Sequence, residues 1–429
     1  MSNTSVIGAG SLSQARPSTG LVVATVAGNA LEFYDFISYI FFTPAIAAAF
    51  FPQGDKVAGI LSALAVFGVG FFFRPIGGLI IGRYADRAGR RPAMILTIAL
   101  ITIGTLGIVL TPGYKTIGII APILVVFWRC VQGFAIGGDV GPATAYLVEI
   151  APDKQRGLFG AWQIASQGVS SIATGLVAIV LTMILGPAAM MAWGWRLVFL
   201  VGLALVPVAL YLRSNMPETL GTGGANAIKS ASLGDNPVLL LKALLLVMGG
   251  TVATYVATFM PIYAVTVLHY PPTIIFPDVV VLGLSIMVGG LIGGALSDRF
   301  GRRAMMIAPY MLLWLTVYYV VYRVNTVHQL WVVFVGTAWI GALVSMSAGA
   351  SLTLVPEILP ARVRAFGMSL IYSLGVAIFG GTTPFVVQFL AGVTHNAMVA
   401  PLYVMVIGAL AMVAMFMMPE KRGQPLDRG

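Results

Sequence analysis

A chain of 429 residues that is 59% hydrophobic and 9% charged, with a mean hydropathy of +0.96, has too little polar surface to cover a water-soluble globule, so the bilayer is its expected solvent. The net charge of +10 would suggest nucleic acid in a soluble protein, but here its distribution encodes orientation, and no nucleic-acid partner is expected. The single cysteine, Cys130, permits no intrachain disulfide and no cysteine-based metal site, and no cofactor is expected.

A bilayer crossing takes about 20 apolar residues. Twelve such stretches begin near residues 21, 57, 93, 118, 158, 195, 238, 279, 304, 330, 366 and 400. Residues 1–20, rich in Ser, Gly and Thr, read as a disordered tail without a cleavable signal pattern, so the first span is expected to act as its own insertion signal. That span carries Asn29, Glu32, Asp35 and Tyr39 at spacings of three and four, hence on one helical face, where ionisable groups are expected to meet a cavity or a partner. The second span holds Arg74, twelve residues before Asp86. At 1.5 Å per residue it lies about 18 Å from the helix end, which is mid-membrane.

The second span leaves the membrane through a motif, Gly77 to Pro92, that returns 212 positions later. Gly78 matches Gly290, Asp86 matches Asp298, Arg87 matches Arg299, Gly89 matches Gly301, and Arg90-Arg91 match Arg302-Arg303. Each copy reads as two membrane helices joined by a very short cytoplasmic hairpin. Gly78 and Gly82, like Gly290 and Gly294, have the small-xxx-small spacing that lets a neighbouring helix approach closely. An acid at such a helix end can bind a partner helix end or the basic turn, as a gate that forms and breaks or as a permanent staple.

The fourth span contains Arg129, Gln132 and Asp139; ten residues bring Arg129 and Asp139 within roughly 80° of each other, so they could share a cavity-facing side. Its exit, Glu149 to Arg156, recurs 208 positions on as Glu357 to Arg364, a second mark of internal duplication. Gln163 and Gln167 stand one turn apart on the fifth span, as ligands or as packing amides, and Trp193-Gly-Trp-Arg196 opens the sixth. Residues 214–236 have the composition of a flexible linker between halves spanning 21–213 and 237–418, and 419–429 form a second tail. The second half offers Tyr255, Tyr263, Tyr310, Ser369, Tyr372, Ser373 and Gln388 but no obvious ionisable residue away from span ends. The five deep charges, Glu32, Asp35, Arg74, Arg129 and Asp139, are therefore expected in the first half alone.

Orientation follows from the basic residues. Of 24 Lys and Arg, Arg74 and Arg129 lie in spans, Lys56, Lys115, Arg196 and Arg323 lie toward the odd-numbered connections, and 18 lie on the side holding both termini. That side is expected in the cytoplasm, with the chain crossing the cell's inner membrane. His269, His328 and His395 fall on the opposite connections as solvated loop residues.

The paired hairpin motif resembles the signature of the major facilitator superfamily. Gly28-Asn29-Ala-Leu-Glu32-Phe-Tyr34-Asp35-Phe36, Phe73-Arg74-Pro75-Ile-Gly77, Arg129-x-x-Gln132-Gly133, Trp193-Gly-Trp-Arg196, Met216-Pro-Glu218-Thr and Pro360-Ala-Arg362-x-Arg364 are similar to the metabolite:proton symporters within it. Phe259-Met-Pro261-Ile-Tyr263 and Tyr372-Ser-Leu-Gly375 look most like citrate and tricarballylate carriers. The resemblance implies an all-α integral membrane protein of twelve transmembrane helices in two pseudo-symmetric six-helix bundles, working as a monomer with protons and a small carboxylate as partners. It implies that Tyr34-Asp35 resembles the protonatable pair of sugar-proton symporters, that Arg129 partners the acid, and that Arg74 binds substrate. Asp139 departs from the family's commoner Glu.

Physical chemistry supports the same reading. An arginine beside a buried carboxylate favours its charged form, so a motion that separates Asp35 from Arg129 drives proton uptake. The fork of arginine suits a carboxylate's two oxygens. The deep charges sum to minus one, so an anion is admitted only if an acid is protonated. The expected proton-coupling set is Asp35, Arg129, Glu32 and Asp139, and Glu32 or Asp139 could be structural or could hold the role instead of Asp35. The substrate set is Arg74, Tyr34, Tyr39, Gln132, Gln163, Gln167, Tyr255, Tyr263 and Tyr372. The gating set is Asp86, Arg87, Arg90, Asp298, Arg299, Arg302, Glu149, Arg156, Glu357 and Arg364. A symporter of zwitterionic osmolytes or amino acids, a sugar porter and a nutrient sensor on the same scaffold are the alternatives. Span seven lacks a sugar porter's glutamines, the tails lack a sensor's long extension, and an enzyme reading finds no phosphate loop, metal cluster or activated nucleophile.

Overall fold

The computed structural model describes residues 19–52, 56–88, 90–214, 237–360 and 364–426, the side chains of Thr19, Leu21, Lys56, Val57, Asp86, Arg87 and Arg90 excepted. Most of the tail expected at 1–20 and of the linker at 214–236 lies outside the described residues. Among the described residues every regular element is helical. Eleven helices are long and apolar enough to cross a membrane: α2 Ala58–Ala85, α3 Arg91–Leu110, α4 Ile120–Ile150, α5 Arg156–Leu185, α6 Pro187–Ser214, α7 Pro237–Thr266, α8 Pro272–Phe300, α9 Arg302–Val327, α10 Leu330–Ile358, α11 Arg364–Thr394 and α12 Val399–Met417. The first crossing, α1, runs Val22–Phe41 and continues as Thr43–Phe50 after a 69° bend, which brings the count to the twelve expected.

Interruptions fall where the sequence weakens the hydrogen-bond ladder. Helix α2 breaks at Phe73, just before Arg74-Pro75, and α6 breaks at Leu205, just before Pro207. Wide π turns occupy Met190–Gly194 of α6 and Val376–Gly380 of α11. The second basic hairpin is one residue long, Gly301 with φ +105°, a conformation that glycine adopts without strain. At the opposite face His269, His328 and His395 take left-handed backbone angles beyond the ends of α7, α9 and α11.

Glycines set the distance between the halves. Helices α5 and α8 cross so closely that a Cβ on Gly168 would stand 2.5 Å from the Gly283 carbonyl oxygen, and one on Gly283 2.6 Å from that of Gly168. Gly290 points at Ile164 of α5, and its repeat partner Gly78 points between the Gly137 carbonyl of α4 at 3.0 Å and Ser373 of α11 at 3.4 Å. Thus the two matching glycines serve two matching seams, α8 on α5 and α2 on α11. Toward the other end, a Cβ on Gly68 of α2 would meet the Gly381 carbonyl oxygen at 2.9 Å.

Gly283→Val should overpack the α5–α8 seam and destabilise the protein by about 1–3 kcal/mol, read as a lower midpoint in thermal unfolding of the detergent-solubilised protein. An unchanged midpoint would show that the seam opens at no cost.

Candidate functional site

The polar face of α1 is turned inward, and each of its residues meets a different helix. Asp35 is the best connected. Its Oδ1 accepts the Thr105 hydroxyl of α3 at 2.6 Å, and its Oδ2 accepts the Gln132 amide of α4 at 2.8 Å. Arg129 Nη1 stands 3.6 Å from the same Oδ2 and donates to Gln132 Oε1 at 2.7 Å. Gln132 therefore bridges acid and base, its carbonyl facing the cation and its amide the carboxylate. The guanidinium lies over the ring of Tyr39 at 4.3 Å and near those of Phe67 and Phe36.

Arg74 stands alone by comparison. It is 2% exposed, its Nε and Nη1 lack hydrogen-bond partners, and no described carboxylate lies within ion-pair distance. The rings of Phe71 at 3.9 Å and Phe36 at 5.1 Å shelter it, and both rings pack edge-on against Tyr255 of α7, at 5.5 and 5.8 Å. Tyr255 and Phe36 are also walls of a cavity of about 70 Å³ between the halves, so Arg74 sits directly behind that wall. The first half contributes Phe33, Gln167 and Ser171 to the lining; the second contributes Thr251, Thr254, Thr258, Ser347, Ser351 and Tyr372. Gln167 and Tyr372 line it from opposite halves.

Several expected ligands are elsewhere. Tyr34 donates to the Val198 carbonyl on α6, Tyr39 donates to the Ala63 carbonyl on α2 beneath Arg129, and Tyr263 donates to Asn325. Gln163 is engaged with Asn29, the two side chains holding α5 to α1 at 2.9 Å. Of the expected substrate set, Gln167, Tyr255 and Tyr372 line the cavity, with Arg74 behind them. Asp139 does not share a side with Arg129. It is held by Arg213 at the end of α6, at 2.7 and 3.1 Å to its two oxygens, and Glu32 lies 4.0 Å from the same guanidinium.

Arg213 is the residue that sequence reasoning missed. Its place near a span end read as a cytoplasmic surface charge, yet it is fully buried and turns the expected excess of one negative charge into three acids facing three arginines. The expectation that deep charge belongs to the first half also needs correction, because Asp278 of α8 is fully buried and accepts the Thr337 hydroxyl at 3.0 Å. Its position six residues into α8 disguised it as a surface acid.

The pattern of the Major Facilitator Superfamily matches residues 25–376. The chain belongs to this superfamily. It is 35% identical over 371 residues to the citrate-proton symporter of Klebsiella pneumoniae, covering 85% of this chain and 84% of that one. It is 30% identical over 426 residues to the proline/betaine transporter of Escherichia coli strain K12, covering 94% and 84%. Its fold superposes on the proton:xylose symporter XylE, bound to 6-bromo-6-deoxy-D-glucose, with a TM-score of 0.78 at 16% identity, covering 95% and 97%. The protein is a multi-pass membrane transporter and not an enzyme.

At its basic end the transporter's two halves are tied by the repeated exits, which exchange partners. Arg364 of the second half pairs with Glu149 of the first at 3.1 Å, and Arg156 of the first pairs with Glu357 of the second at 3.4 Å. Because 149 matches 357 and 156 matches 364, the duplication has made one ion pair twice, in opposite directions. Arg302 grips Glu357 with Nε and Nη2 at 3.1 and 3.0 Å and reaches Asp298 at 2.7 Å. Asp298 in turn accepts the backbone N–H groups of Gly157 and Leu158 at 2.8 and 2.9 Å, capping the first turn of α5. Arg299, expected to share this work, points outward over its neighbour Phe300. Asp86, Arg87 and Arg90 of the first hairpin lie outside the described side chains.

The segment after α12 is part of this tie. Glu420 accepts the backbone N–H groups of Arg302 and Arg303, both at 3.0 Å, Arg422 donates to the Asp298 carbonyl at 3.1 Å, and Arg156 donates to the Gln424 carbonyl. Partial burial by itself would raise the Glu420 carboxyl, but the four backbone donors at Arg302, Arg303, Arg422 and Lys421 hold it below its ordinary 4.5. A group lowered on docking stabilises the docked form above the ordinary value and loses that contribution as pH falls through the lowered one. Glu420→Gln should therefore speed amide hydrogen exchange at Arg302 and Arg303 by roughly tenfold. After correction for the intrinsic pH dependence of exchange, the parent should lose this protection only on acidification below the usual glutamate range, and protection unchanged there would contradict this assignment.

Proposed function

We propose that this transporter imports a small organic acid, a di- or tricarboxylate such as citrate, in symport with protons. One observation supports it above the others: Arg74 is a mid-membrane guanidinium with two unpartnered nitrogens, behind the wall of the central cavity, while Arg129 and Arg213 are answered by acids. A buried fork without a carboxylate is suited to receive one. The citrate-proton symporter at 35% identity supports the substrate class. The proline/betaine relative gives the second reading, since a zwitterion also offers a carboxylate, and its cation would meet the rings of Tyr255 and Tyr372.

In this reading Asp35 carries the proton. Thr105 and Gln132 donate to its carboxylate and Arg129 faces it. Protonation from the more acidic outer side removes the attraction that holds Arg129, and the bundle then meets the anion with one more unit of net positive charge. A cavity of about 70 Å³ is far below the several hundred that ligand pockets offer. Admission of substrate therefore needs the halves to part, at one end by separating Gly68 of α2 from Gly381 of α11 and at the other by releasing Asp298 and the exchanged Glu–Arg pairs. Alternation between these two openings is the transport cycle, with the basic end in the cytoplasm.

Two substitutions in proteoliposomes test the reading. Arg74→Lys keeps the charge but loses the fork, and citrate binding should weaken by about 1.5–3 kcal/mol; unchanged affinity in a well-expressed variant would remove Arg74 from the site. Asp35→Asn imitates the protonated acid, so it should still exchange labelled for unlabelled citrate while losing accumulation driven by a pH gradient. If the variant accumulates citrate as the parent does, Asp35 is not the coupling group.

A further inference from the structure

We propose that Glu32 holds a second exchangeable proton, distinct from that of Asp35, and that the transporter moves two protons with each substrate anion. The proposal rests on the proton-symport reading and deepens it. Glu32 and Asp35 are three residues apart on α1, but they face separate partners. Asp35 looks to α3 and α4 through Thr105, Gln132 and Arg129. Glu32 faces Arg213 of α6, which also holds Asp139 of α4, and Asp139 in turn accepts the neutral hydroxyl of Thr97 on α3 at 3.3 Å.

The geometry divides one cation between two acids unevenly. Arg213 Nη1 and Nη2 are bonded to the two oxygens of Asp139, and Nη1 also donates to the Met94 carbonyl at 3.0 Å. Gly28 leaves the space that this guanidinium fills, since a Cβ there would overlap it. Glu32 is left at 4.0 Å, 1% exposed, with neither carboxyl oxygen accepting a hydrogen bond. An ionised carboxylate without donors in a dry interior is strongly disfavoured. A neutral one can donate its O–H to Asp139, and the trio is then electrically balanced.

Charge counting connects this proton to transport. With all six groups ionised, Glu32, Asp35 and Asp139 balance Arg74, Arg129 and Arg213. Protonating Glu32 leaves the interior at plus one and protonating Asp35 as well leaves it at plus two, which matches a divalent anion. Arg74 is the lever between sites, because it acts electrostatically on both Glu32 and Arg129. An anion bound at Arg74 cancels its attraction for a charged Glu32, so substrate binding favours the protonated acid, and by linkage the proton tightens substrate.

The test is the coupling ratio in proteoliposomes with the membrane potential clamped at zero and citrate as the probe. Each coupled proton supports about tenfold accumulation per pH unit. Glu32→Gln should therefore retain uphill transport but stop at about tenfold less accumulation per pH unit than the parent, whereas Asp35→Asn, which leaves Arg129 permanently released and so lets the halves alternate without waiting for a proton, accumulates nothing. Glu32→Gln accumulating as much as the parent overturns the proposal, and so does Glu32→Gln losing all uphill transport while Asp35→Asn keeps it. A second readout needs no substrate: in an Asp278→Asn background, which removes the other buried carboxyl without an arginine, the protein at neutral pH should show the infrared stretching band of a buried neutral carboxyl, and adding Glu32→Gln should remove it. If the parent fails to accumulate citrate, the substrate reading fails and this band decides the proton site, its persistence after Glu32→Gln is added overturning the proposal. Since glutamine mimics the neutral acid, the variant should melt no lower than the parent; a lower midpoint would indicate an ionised Glu32 and also overturn it.

Discussion

Inside a bilayer a charged side chain has no water to turn to, and the first half of this protein is organised by how six such groups answer one another. Asp35 receives three separate interactions, and Asp139 takes both nitrogens of Arg213. Arg129 spreads its charge over an acid, an amide and three aromatic faces. What is left unanswered is as informative as what is paired. Arg74 lacks an acid and Glu32 lacks a donor, and each incomplete group is a place where a mobile ion can complete the arrangement.

The same economy governs how the halves meet. Helices without a hydrophobic drive to associate in lipid rely on close packing and polar ties. Glycine supplies the first along α5–α8 and α2–α11, and at the basic end charge supplies the second. A seam of backbone against backbone can slide or rock without unmaking a side-chain core, while an ion pair at its end has two discrete states, made or broken. The exchanged Glu149–Arg364 and Glu357–Arg156 pairs cross between halves, so they cannot survive an opening at that end. Glu420 and Arg422 add backbone-directed bonds to the same tie, which makes the segment after α12 a participant in it.

Much of this was legible in the sequence because duplication and apolar length are one-dimensional signals. The twelve crossings, the paired hairpins and the deep charges of α1, α2 and α4 needed only spacing and hydropathy. Partner choice was not legible, because helical angle places a residue on a face without saying which helix stands opposite. Helical angle alone put Arg129 and Asp139 within roughly 80° on α4, yet Asp35 of α1 meets one and Arg213 of α6 the other. Tyr34 and Tyr263 had the chemistry of ligands but were needed by a carbonyl and an asparagine. Arg213 and Asp278 were hidden by their nearness to span ends, where a charge is ordinarily solvated; burial there depends on neighbouring helices that sequence position does not reveal.

The two halves contribute different chemistry to the cavity between them. The first supplies fixed charge, and the second supplies a row of hydroxyls on Thr251, Thr254, Thr258, Ser347, Ser351 and Tyr372. Charge acts over distance and can draw an anion toward α1 and α2 before the cavity is formed, whereas a hydroxyl acts only within hydrogen-bond reach and only when correctly aimed. Attraction and discrimination are thus assigned to separate bodies. Tyr255 joins them, because its ring packs on Phe36 and Phe71, the two rings that shelter Arg74, and it lines the cavity itself. In the proposed reading an anion that takes Arg74 meets these rings, so occupation of the charged side is felt directly by the helix that carries the neutral one. Binding energy can then be converted into a change in how the halves sit against each other, through one tyrosine rather than through the whole interface.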